Sequence, residues 1–300
     1  MTAAALPRSG DSAIPRPVQA AIGFLRLLSK RPSGLIGFIG IVFFLVLAFI
    51  APIFVPNQEL ADVNSIYQTP SLEHFLGTDN SGRDVLNQIV QGGREIISVA
   101  LVTALLTTLI ATTLGAVSAI VGGKVDAVLV AIADIVLTIP YLIVLIVISA
   151  LARPTNFLAL AIVLSLLGWA GLMRQVRAQV LTLKERDYVE AARSLDLGLF
   201  HIVFREILPN MRSYIVIHFV LAMTGAIYAQ VALIVLGLVP FSGKNWALML
   251  YFANSQGAFY FRDAFWYVFS PIFAIILLQL SLVLFVNALE DIFNPRLRSS

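Results

Sequence analysis

The sequence predicts an all-α integral membrane protein with about six membrane-spanning helices. The chain has 300 residues, of which 59% are hydrophobic and 12% are charged, whereas a soluble domain carries about 25% charged residues. Too few polar side chains remain to cover a surface in water, so the main solvent must be lipid. Because the chain contains no cysteine, disulfides, thiolate metal sites and cysteine nucleophiles are excluded.

Six stretches are apolar enough to span a membrane, which requires about 20 residues for each helix. The third stretch contains one acid, Asp134, and the fourth is the shortest. We predict one domain over residues 35–289, with spans at 35–55, 96–121, 127–151, 157–173, 214–239 and 265–289. Residues 1–34 and 290–300 are predicted to be terminal tails, and residues 18–28 could form a short interfacial helix.

The positive charges predict the orientation of these spans, because cytoplasmic loops carry an excess of Lys and Arg. If both termini are cytoplasmic, the inside segments hold 15 of the 20 Lys and Arg residues and the outside segments hold 5. The opposite orientation would reverse this ratio. We therefore predict that both termini are cytoplasmic. Two long connections follow, an outer one over residues 56–95 and an inner one over residues 174–213.

The sequence lacks the patterns that are typical of an enzyme. It contains no phosphate-binding loop of the GxxxxGK[ST] type and no GxSxG nucleophile pattern. Its three histidines, His74, His201 and His218, fall in separate segments without the spacing of metal ligands. We therefore expect no catalysis by this chain, no cofactor or metal bound to it, and no nucleic-acid partner.

Asp134 is the one acid within a predicted span. Carboxylates inside a membrane are rare and usually face a protein interior or a water path. We interpret Asp134 as a packing or subunit contact near the cytoplasmic end of its helix. The alternative is a proton relay in an ion-coupled carrier, although such carriers usually contain clusters of intramembrane charges and broken helices.

The inner connection is predicted to form two helices. Residues 179–195 are good helix formers without Gly or Pro. A second, shorter helix is predicted from Leu199 to Ile207, ending before Pro209. The adjacent alanines Ala191 and Ala192 would let a partner approach the backbone of the first helix closely, and Glu190 and Arg193 would fix its register.

This inner connection resembles the EAA loop of bacterial ABC importer permeases. The matches are Glu190-Ala191-Ala192 and Leu208-Pro209, while Asp196 occupies the position of the family glycine and Glu206 that of the family isoleucine. Asp tolerates turn geometry, so the two-helix form is expected to survive. The resemblance assigns coupling to an ATPase to Tyr188, Glu190, Ala191, Ala192, Arg193, Asp196, Gly198, Leu208 and Pro209.

Three further motifs are similar to those of the dipeptide, oligopeptide and nickel permeases, and they best fit the C-type subunit. One precedes the Glu-Ala-Ala at residues 183–188, and one closes the chain at residues 291–296. The third is an outer-loop motif that comprises Gly77, Thr78, Asp79, Gly82, Arg83 and Asp84. A departure occurs at Gln230-Val231-Ala232, where the family usually has Glu-Ala-Ala, and could reflect a different substrate.

The resemblance implies the type I fold of ABC importer permeases and one half of a translocation path in a bacterial or archaeal cell membrane. The implied partners are a B-type permease, two cytoplasmic ATPase subunits that hold ATP and Mg²⁺, and an extracytoplasmic solute-binding protein. That protein is expected to meet residues 58–95 and 240–263, which include Trp246, Phe252 and Tyr260. Di- or oligopeptides are the first substrate hypothesis, and oligosaccharides, nickel or an ion-coupled carrier remain alternatives.

The orientation can be tested by introducing single cysteines into this cysteine-free chain. We expect an impermeant thiol reagent to label Ser81→Cys on the outside of intact cells and not Ser194→Cys, because the two positions lie on opposite sides of the predicted membrane. Permeabilised cells, in which both positions should react, provide the control. Labelling of residue 194 but not residue 81 in intact cells would reverse the orientation.

Overall fold

The structure is a computed structural model that describes residues 23, 25–55, 61–239 and 244–293. Most of the predicted interfacial helix at 18–28 lies outside the described residues, as do the last residues of the closing motif. Within the described ranges the chain is helical and has no β-strand, apart from a single bridge between Thr78 and Asp84.

Nine helices of eight or more residues are defined within the described part of the chain. They are α1 (Pro32–Phe49), α2 (Val85–Val121), α3 (Gly123–Thr138), α4 (Tyr141–Ala152), α5 (Phe157–Leu183), α6 (Asp187–Ser194), α7 (Arg212–Val235), α8 (Trp246–Ser255) and α9 (Phe265–Phe293). Shorter helical turns cover Ala51–Phe54, Val63–Ser65, Leu199–His201, Ile202–Ile207, Leu208–Asn210, Ala258–Tyr260 and Arg262–Ala264.

Five of these helices are long and apolar enough to cross a membrane, namely α1 with the turn after it, α2, α5, α7 and α9. The pair α3 and α4 provides a sixth span if it is counted as one, although its two halves are bent by 88°. The predicted all-α membrane fold with about six spans is therefore confirmed.

The third span is divided, whereas the sequence predicted one continuous stretch over residues 127–151. The break falls at Ile139 and Pro140. Proline has no N–H and disfavours helical geometry in the preceding residue, and Ile139 is accordingly extended, with φ −88° and ψ 134°. The bend turns α4 away from the axis of α3.

Two helices extend well beyond their predicted spans. Helix α2 begins at Val85 and not at residue 96, because the Asp84 carboxylate accepts a hydrogen bond of 2.7 Å from the backbone N–H of Asn87 and caps the first turn. Helix α5 continues ten residues past 173 to Leu183. The predicted inner connection therefore begins with almost three further turns of the membrane helix.

The extension of α5 is held to α3 by two ion pairs. Arg177 donates to the Asp126 carboxylate from Nε at 2.5 Å and from Nη2 at 2.6 Å. One turn back along α5, Arg174 lies 3.0 Å from Asp134. Asp134 is thus a packing contact between two helices of this chain, which agrees with the interpretation preferred from the sequence.

Helices α1 and α9 pack closely because a row of glycines lies at their interface. A Cβ on Gly37 would lie 2.6 Å from the backbone nitrogen of Phe285, and one on Gly34 would lie 2.3 Å from the Cβ of Ala288. Small residues permit such close approach of helices in a membrane. Near the two termini, Arg31 lies 3.3 Å from Asp291 and joins the start of α1 to the end of α9.

The departure at Gln230 has a structural explanation. Its side chain is fully buried, and Nε2 donates a hydrogen bond of 2.8 Å to the carbonyl of Ile96. Gln230 therefore joins α7 to α2 within this chain. The suggestion that this position reflects a different substrate was wrong, because its side chain is not accessible to one.

The role of Asp134 can be tested with Asp134→Asn, which keeps the shape of the side chain and removes its charge. The pair with Arg174 is about half exposed, with side-chain exposures of 54% for Arg174 and 50% for Asp134, and exposed ion pairs contribute about 0–1 kcal/mol. We expect normal assembly and substantial uptake of solute by cells. Arg174→Gln should have a similarly small effect. Complete loss of uptake in a normally assembled Asp134→Asn protein would favour the proton-relay alternative.

Candidate functional site

The connection between α5 and α7, which the charge distribution predicts to be cytoplasmic, is a compact helical hairpin. Helix α5 ends at Leu183, a turn covers residues 184–186, and α6 begins at Asp187. The single helix predicted over residues 179–195 is therefore interrupted. The turn is fixed by Lys184, whose Nζ lies 3.3 Å from the carbonyl of Ala119 and so binds the C-terminal end of α2.

Asp196 provides the sharp turn after α6. It adopts φ +53°, a left-handed conformation that favours glycine but that Asp tolerates. The backbone N–H of Leu197 then bonds to the carbonyl of Ala192 at 3.1 Å. Gly198 has φ −59° and does not supply the turn. Asp196 thus adopts the left-handed conformation at the position where the family pattern has glycine.

The second helical run is longer than predicted and passes through Pro209. Leu199–His201 leads into a π-helical turn at Ile202–Ile207 and then into Leu208–Asn210. Pro209 lies in the first turn of the last segment, where a missing N–H costs no hydrogen bond. The predicted stop before Pro209 was wrong for this reason.

The inner face of this hairpin forms a small apolar core. Ala192 and Val189 on α6 are buried against Ile202, Ile207 and Met211. Tyr188 and Leu208 are half-buried, and Tyr188 packs at the edge of the same cluster. Ala192 therefore cannot receive a partner, which corrects the prediction that both alanines provide the contact surface.

The outer face of α6 presents Glu190, Ala191 and Arg193 to solvent. Of the two alanines, only Ala191 is available for close approach by another protein. The two charges on either side of it are opposite in sign and exposed. Asp196, Gly198 and Pro209 are also exposed on this hairpin.

An exposed apolar patch next to α6 was missed by the sequence reasoning. Phe200 is 75% exposed and Leu195 is 73% exposed. The ring centroids of Phe200 and Phe204 lie 4.4 Å apart, and Leu199 and Phe204 are exposed as well. The available signal was the spacing of two phenylalanines four residues apart on a cytoplasmic helix, which places both rings on one face.

The outer motif folds into a tight turn around Asp79, which is fully buried. The Asp79 carboxylate accepts hydrogen bonds from the backbone N–H groups of Ser81 and Arg83 at 2.8 and 2.9 Å. Arg83 also donates to it from Nε at 2.8 Å, and Gln88 from Nε2 at 3.0 Å. A buried carboxylate with this many donors is fully compensated.

Neighbouring residues of the motif lock this turn in place. Gly77 and Gly82 have positive φ values of +70° and +73°, and a Cβ on Gly82 would lie 1.9 Å from the carbonyl oxygen of Asp62. Thr78 accepts a hydrogen bond of 2.8 Å from the backbone of Gln68 and donates to the carbonyl of Ser65. The motif is therefore a structural element, and its six members lie together.

The turn is continuous with the rest of the outer surface. Asp84 caps α2 and lies 2.9 Å from Nδ1 of His74. Tyr67 stacks on Phe261 with ring centroids 5.6 Å apart. Burial and the nearby Asp79 charge raise the pKa of the Tyr67 hydroxyl, so it stays neutral at physiological pH.

The aromatic residues of the second outer segment do not share one role. Trp246 is fully buried, and its Nε1 donates to the carbonyl of Ile89 at 2.8 Å. It packs on Gly92 and Gly93 of α2, so it cannot meet a binding protein, and the prediction that it would was wrong. Tyr260 is 91% exposed, and Phe252 is half-buried.

Helices that can span a membrane, a helical hairpin with an exposed apolar face and a folded turn around Asp79 are features of a multi-pass membrane protein. Residues 111–299 match the family described as "Binding-protein-dependent transport system inner membrane component". The chain belongs to this family, which has the type I fold of ABC importer permeases, and it is therefore an inner-membrane permease and not an enzyme.

Curated relatives agree over most of the chain. The dipeptide transport system permease protein DppC of Bacillus subtilis (strain 168) is 31% identical over 91% of this chain and 85% of its own length. A putative peptide permease of Brucella abortus biovar 1 (strain 9-941) is 34% identical over 80% and 78%. The oligopeptide transport system permease protein OppC of Bacillus subtilis (strain 168) is 30% identical over 91% and 88%.

The structural role of the outer turn can be tested with Asp79→Ala. The change leaves the guanidinium of Arg83 and two backbone N–H groups without their acceptor, and breaking a buried pair costs roughly 3–5 kcal/mol. Since Arg83 is 33% exposed, we expect the lower part of that range and a clear fall in the melting temperature of the purified permease. Glu73→Ala, an exposed carboxylate of the same segment, is the control. Equal melting temperatures for the two variants would contradict this role.

Proposed function

We propose that this chain is the C-type permease subunit of an ATP-driven importer for di- or oligopeptides. It would pair with a B-type permease in an importer that has two cytoplasmic ATPase subunits, dock one of these subunits through the hairpin at residues 184–211, and receive its solute from an extracytoplasmic binding protein. The observation that carries the proposal is the exposed surface formed by Glu190, Ala191, Phe200 and Phe204 on that hairpin.

This surface has the features of a protein interface. Exposed aromatic rings clustered next to one another are uncommon on a face that remains in water, and such patches usually mark interaction sites. Ala191 allows the backbone of α6 to approach a groove, while Phe200 and Phe204 provide apolar anchors. Glu190 and Arg193 would set orientation through charge complementarity. The partner that we propose for this surface is a groove on an ATPase subunit.

The energy source would lie outside this chain. Its sequence has no phosphate-binding loop, so ATP and Mg²⁺ would bind to the two ATPase subunits. Transport requires two arrangements of the helices and a ligand that distinguishes them. ATP bound to the partner would be that ligand. The hairpin would convey its effect to the spans, with both termini in the cytoplasm of a bacterial or archaeal cell.

Peptides are the proposed substrates because the relatives named above are dipeptide, oligopeptide and putative peptide permeases. The binding protein would meet the outer turn and the segment around Tyr260, which carry exposed apolar side chains such as Leu72. Oligosaccharides and nickel stay as alternative substrates. The alternative of an ion-coupled carrier is not favoured, because the chain belongs to this permease family.

The proposal is tested by Ala191→Trp, which adds a large side chain to the centre of the docking face. Overpacking of a tight contact costs roughly 1–3 kcal/mol, so we expect about a tenfold or greater loss of ATPase binding. ATP-dependent uptake of a labelled dipeptide should fall with it, while pairing with the second permease survives. Glu190→Ala should weaken ATPase binding to a smaller extent. The measurements are a pull-down of the ATPase and uptake into proteoliposomes.

The matched control is Thr182→Trp, which adds the same side chain at an exposed position near the end of α5. It should retain ATPase binding and uptake. Full ATPase binding and full uptake by Ala191→Trp would show that this hairpin is not the coupling element. Peptide uptake by the unaltered importer that needs an ion gradient and not ATP would refute the proposed function itself.

A further inference from the structure

A cavity of about 350 Å³ lies between the membrane helices α2, α5 and α7 and is open on one side. Its polar lining consists of Thr103 and Thr107 from α2, Gln175 from α5, His218 from α7 and Tyr141 from the start of α4. No Asp, Glu, Lys or Arg is among the described residues that line it. The cavity is therefore mostly apolar, with five polar side chains and no fixed charge among the described residues that line it.

The cavity lies deep in the membrane-spanning part of the chain. Gly225 lines it and lies thirteen residues beyond the first residue of α7, which corresponds to about 20 Å along the axis at 1.5 Å per residue. Thr103 is likewise near the middle of α2. Polar side chains at this depth are costly unless they meet other polar groups or line a water-filled path.

Three of the polar side chains lack a hydrogen-bond partner within the described part of the chain, although the ring of His218 packs on that of Tyr214 with centroids 4.2 Å apart. Among the described residues, no hydrogen bond is made by the amide of Gln175, the imidazole of His218 or the hydroxyl of Tyr141. These groups line the open cavity, so their partners must come from water or from another molecule.

Glycines provide the room in this cavity. A Cβ on Gly225 would meet no atom within 4 Å, and one on Gly171 would meet only the Leu137 side chain at 3.9 Å. Glycine inside a helix is less favourable than alanine. Packing within this chain does not require glycine at either position, so the space serves something outside the chain.

We infer that this cavity is the part of the substrate site contributed by this subunit, and that it holds a short peptide. The inference rests on the proposed function of peptide import. Amide, imidazole and hydroxyl groups can both donate and accept hydrogen bonds, which suits the N–H and C=O groups of a peptide backbone whatever its side chains. A single imidazole offers too few ligands for a nickel ion. The bare backbone at Gly225 leaves space for variable side chains.

The test uses Gly225→Cys in the assembled importer, since the natural chain contains no cysteine. We expect a charged, water-soluble methanethiosulfonate reagent to modify residue 225, because thiolate forms only where water reaches. A transported tripeptide, supplied with the binding protein, should slow this modification several-fold. Val46→Cys and Leu280→Cys, on exposed apolar faces of α1 and α9, are controls that should react slowly with or without peptide.

Each other outcome overturns the inference. Modification in the isolated chain but not in the assembled importer would make Gly225 a contact between permeases. Modification that peptide does not slow, in an importer that transports peptide, would place the substrate elsewhere. Protection by an oligosaccharide or by nickel, and not by peptide, would change the ligand class. If the unaltered importer moves no peptide at all, the proposed function fails before this question arises.

A second variant tests whether the transported peptide occupies the cavity. Gly225→Leu is favourable in a helix and should leave assembly intact, but its side chain would occupy the cavity. We expect uptake of a tripeptide to fall several-fold more than uptake of a dipeptide. A defect of assembly or coupling would reduce both equally, and that result would contradict the inference.

Discussion

The constraint on which the structure depends is the lack of water in the membrane, which forces helices and removes the hydrophobic force between them. Helices then associate through close backbone packing and polar contacts. The row of glycines on α1 meets α9 at distances that a Cβ would not allow, and a Cβ on Gly115 would lie 2.7 Å from the carbonyl oxygen of Met173 on α5. Polar contacts such as that of Gln230 with Ile96 add directional bonds to this packing.

The half of the structure that carries the hairpin follows a second rule, because charged groups are available there. Helix α5 leaves the apolar region and is held to α3 through Arg177 and Arg174, while Lys184 holds the end of α2. These contacts make the hairpin an extension of the spans. A displacement of α6 would therefore move α5 as well, since only the turn at residues 184–186 separates the two helices.

Hydropathy and charge were enough to predict the helical class and about six spans, because both depend on composition. The features that the sequence did not predict depend on tertiary contacts within the fold. The break at Pro140 could have been predicted from the missing N–H of proline. The span was predicted from apolar content alone, which does not show such a break. The two alanines of α6 looked equivalent in sequence, whereas helical periodicity buries Ala192 and exposes Ala191. Trp246 looked like an interfacial residue until its packing on Gly92 and Gly93 was known.

The two helices that flank the hairpin, α5 and α7, also line the cavity of about 350 Å³ between the membrane helices. Helix α5 carries Gln175 on the cavity wall and ends three residues before α6 begins. Helix α7 begins directly after the hairpin and carries His218 and Gly225 on the opposite wall. A rigid movement of the hairpin would therefore move both walls together. Because interfaces and packed cores adopt discrete arrangements, such a movement would open or close the cavity as a unit.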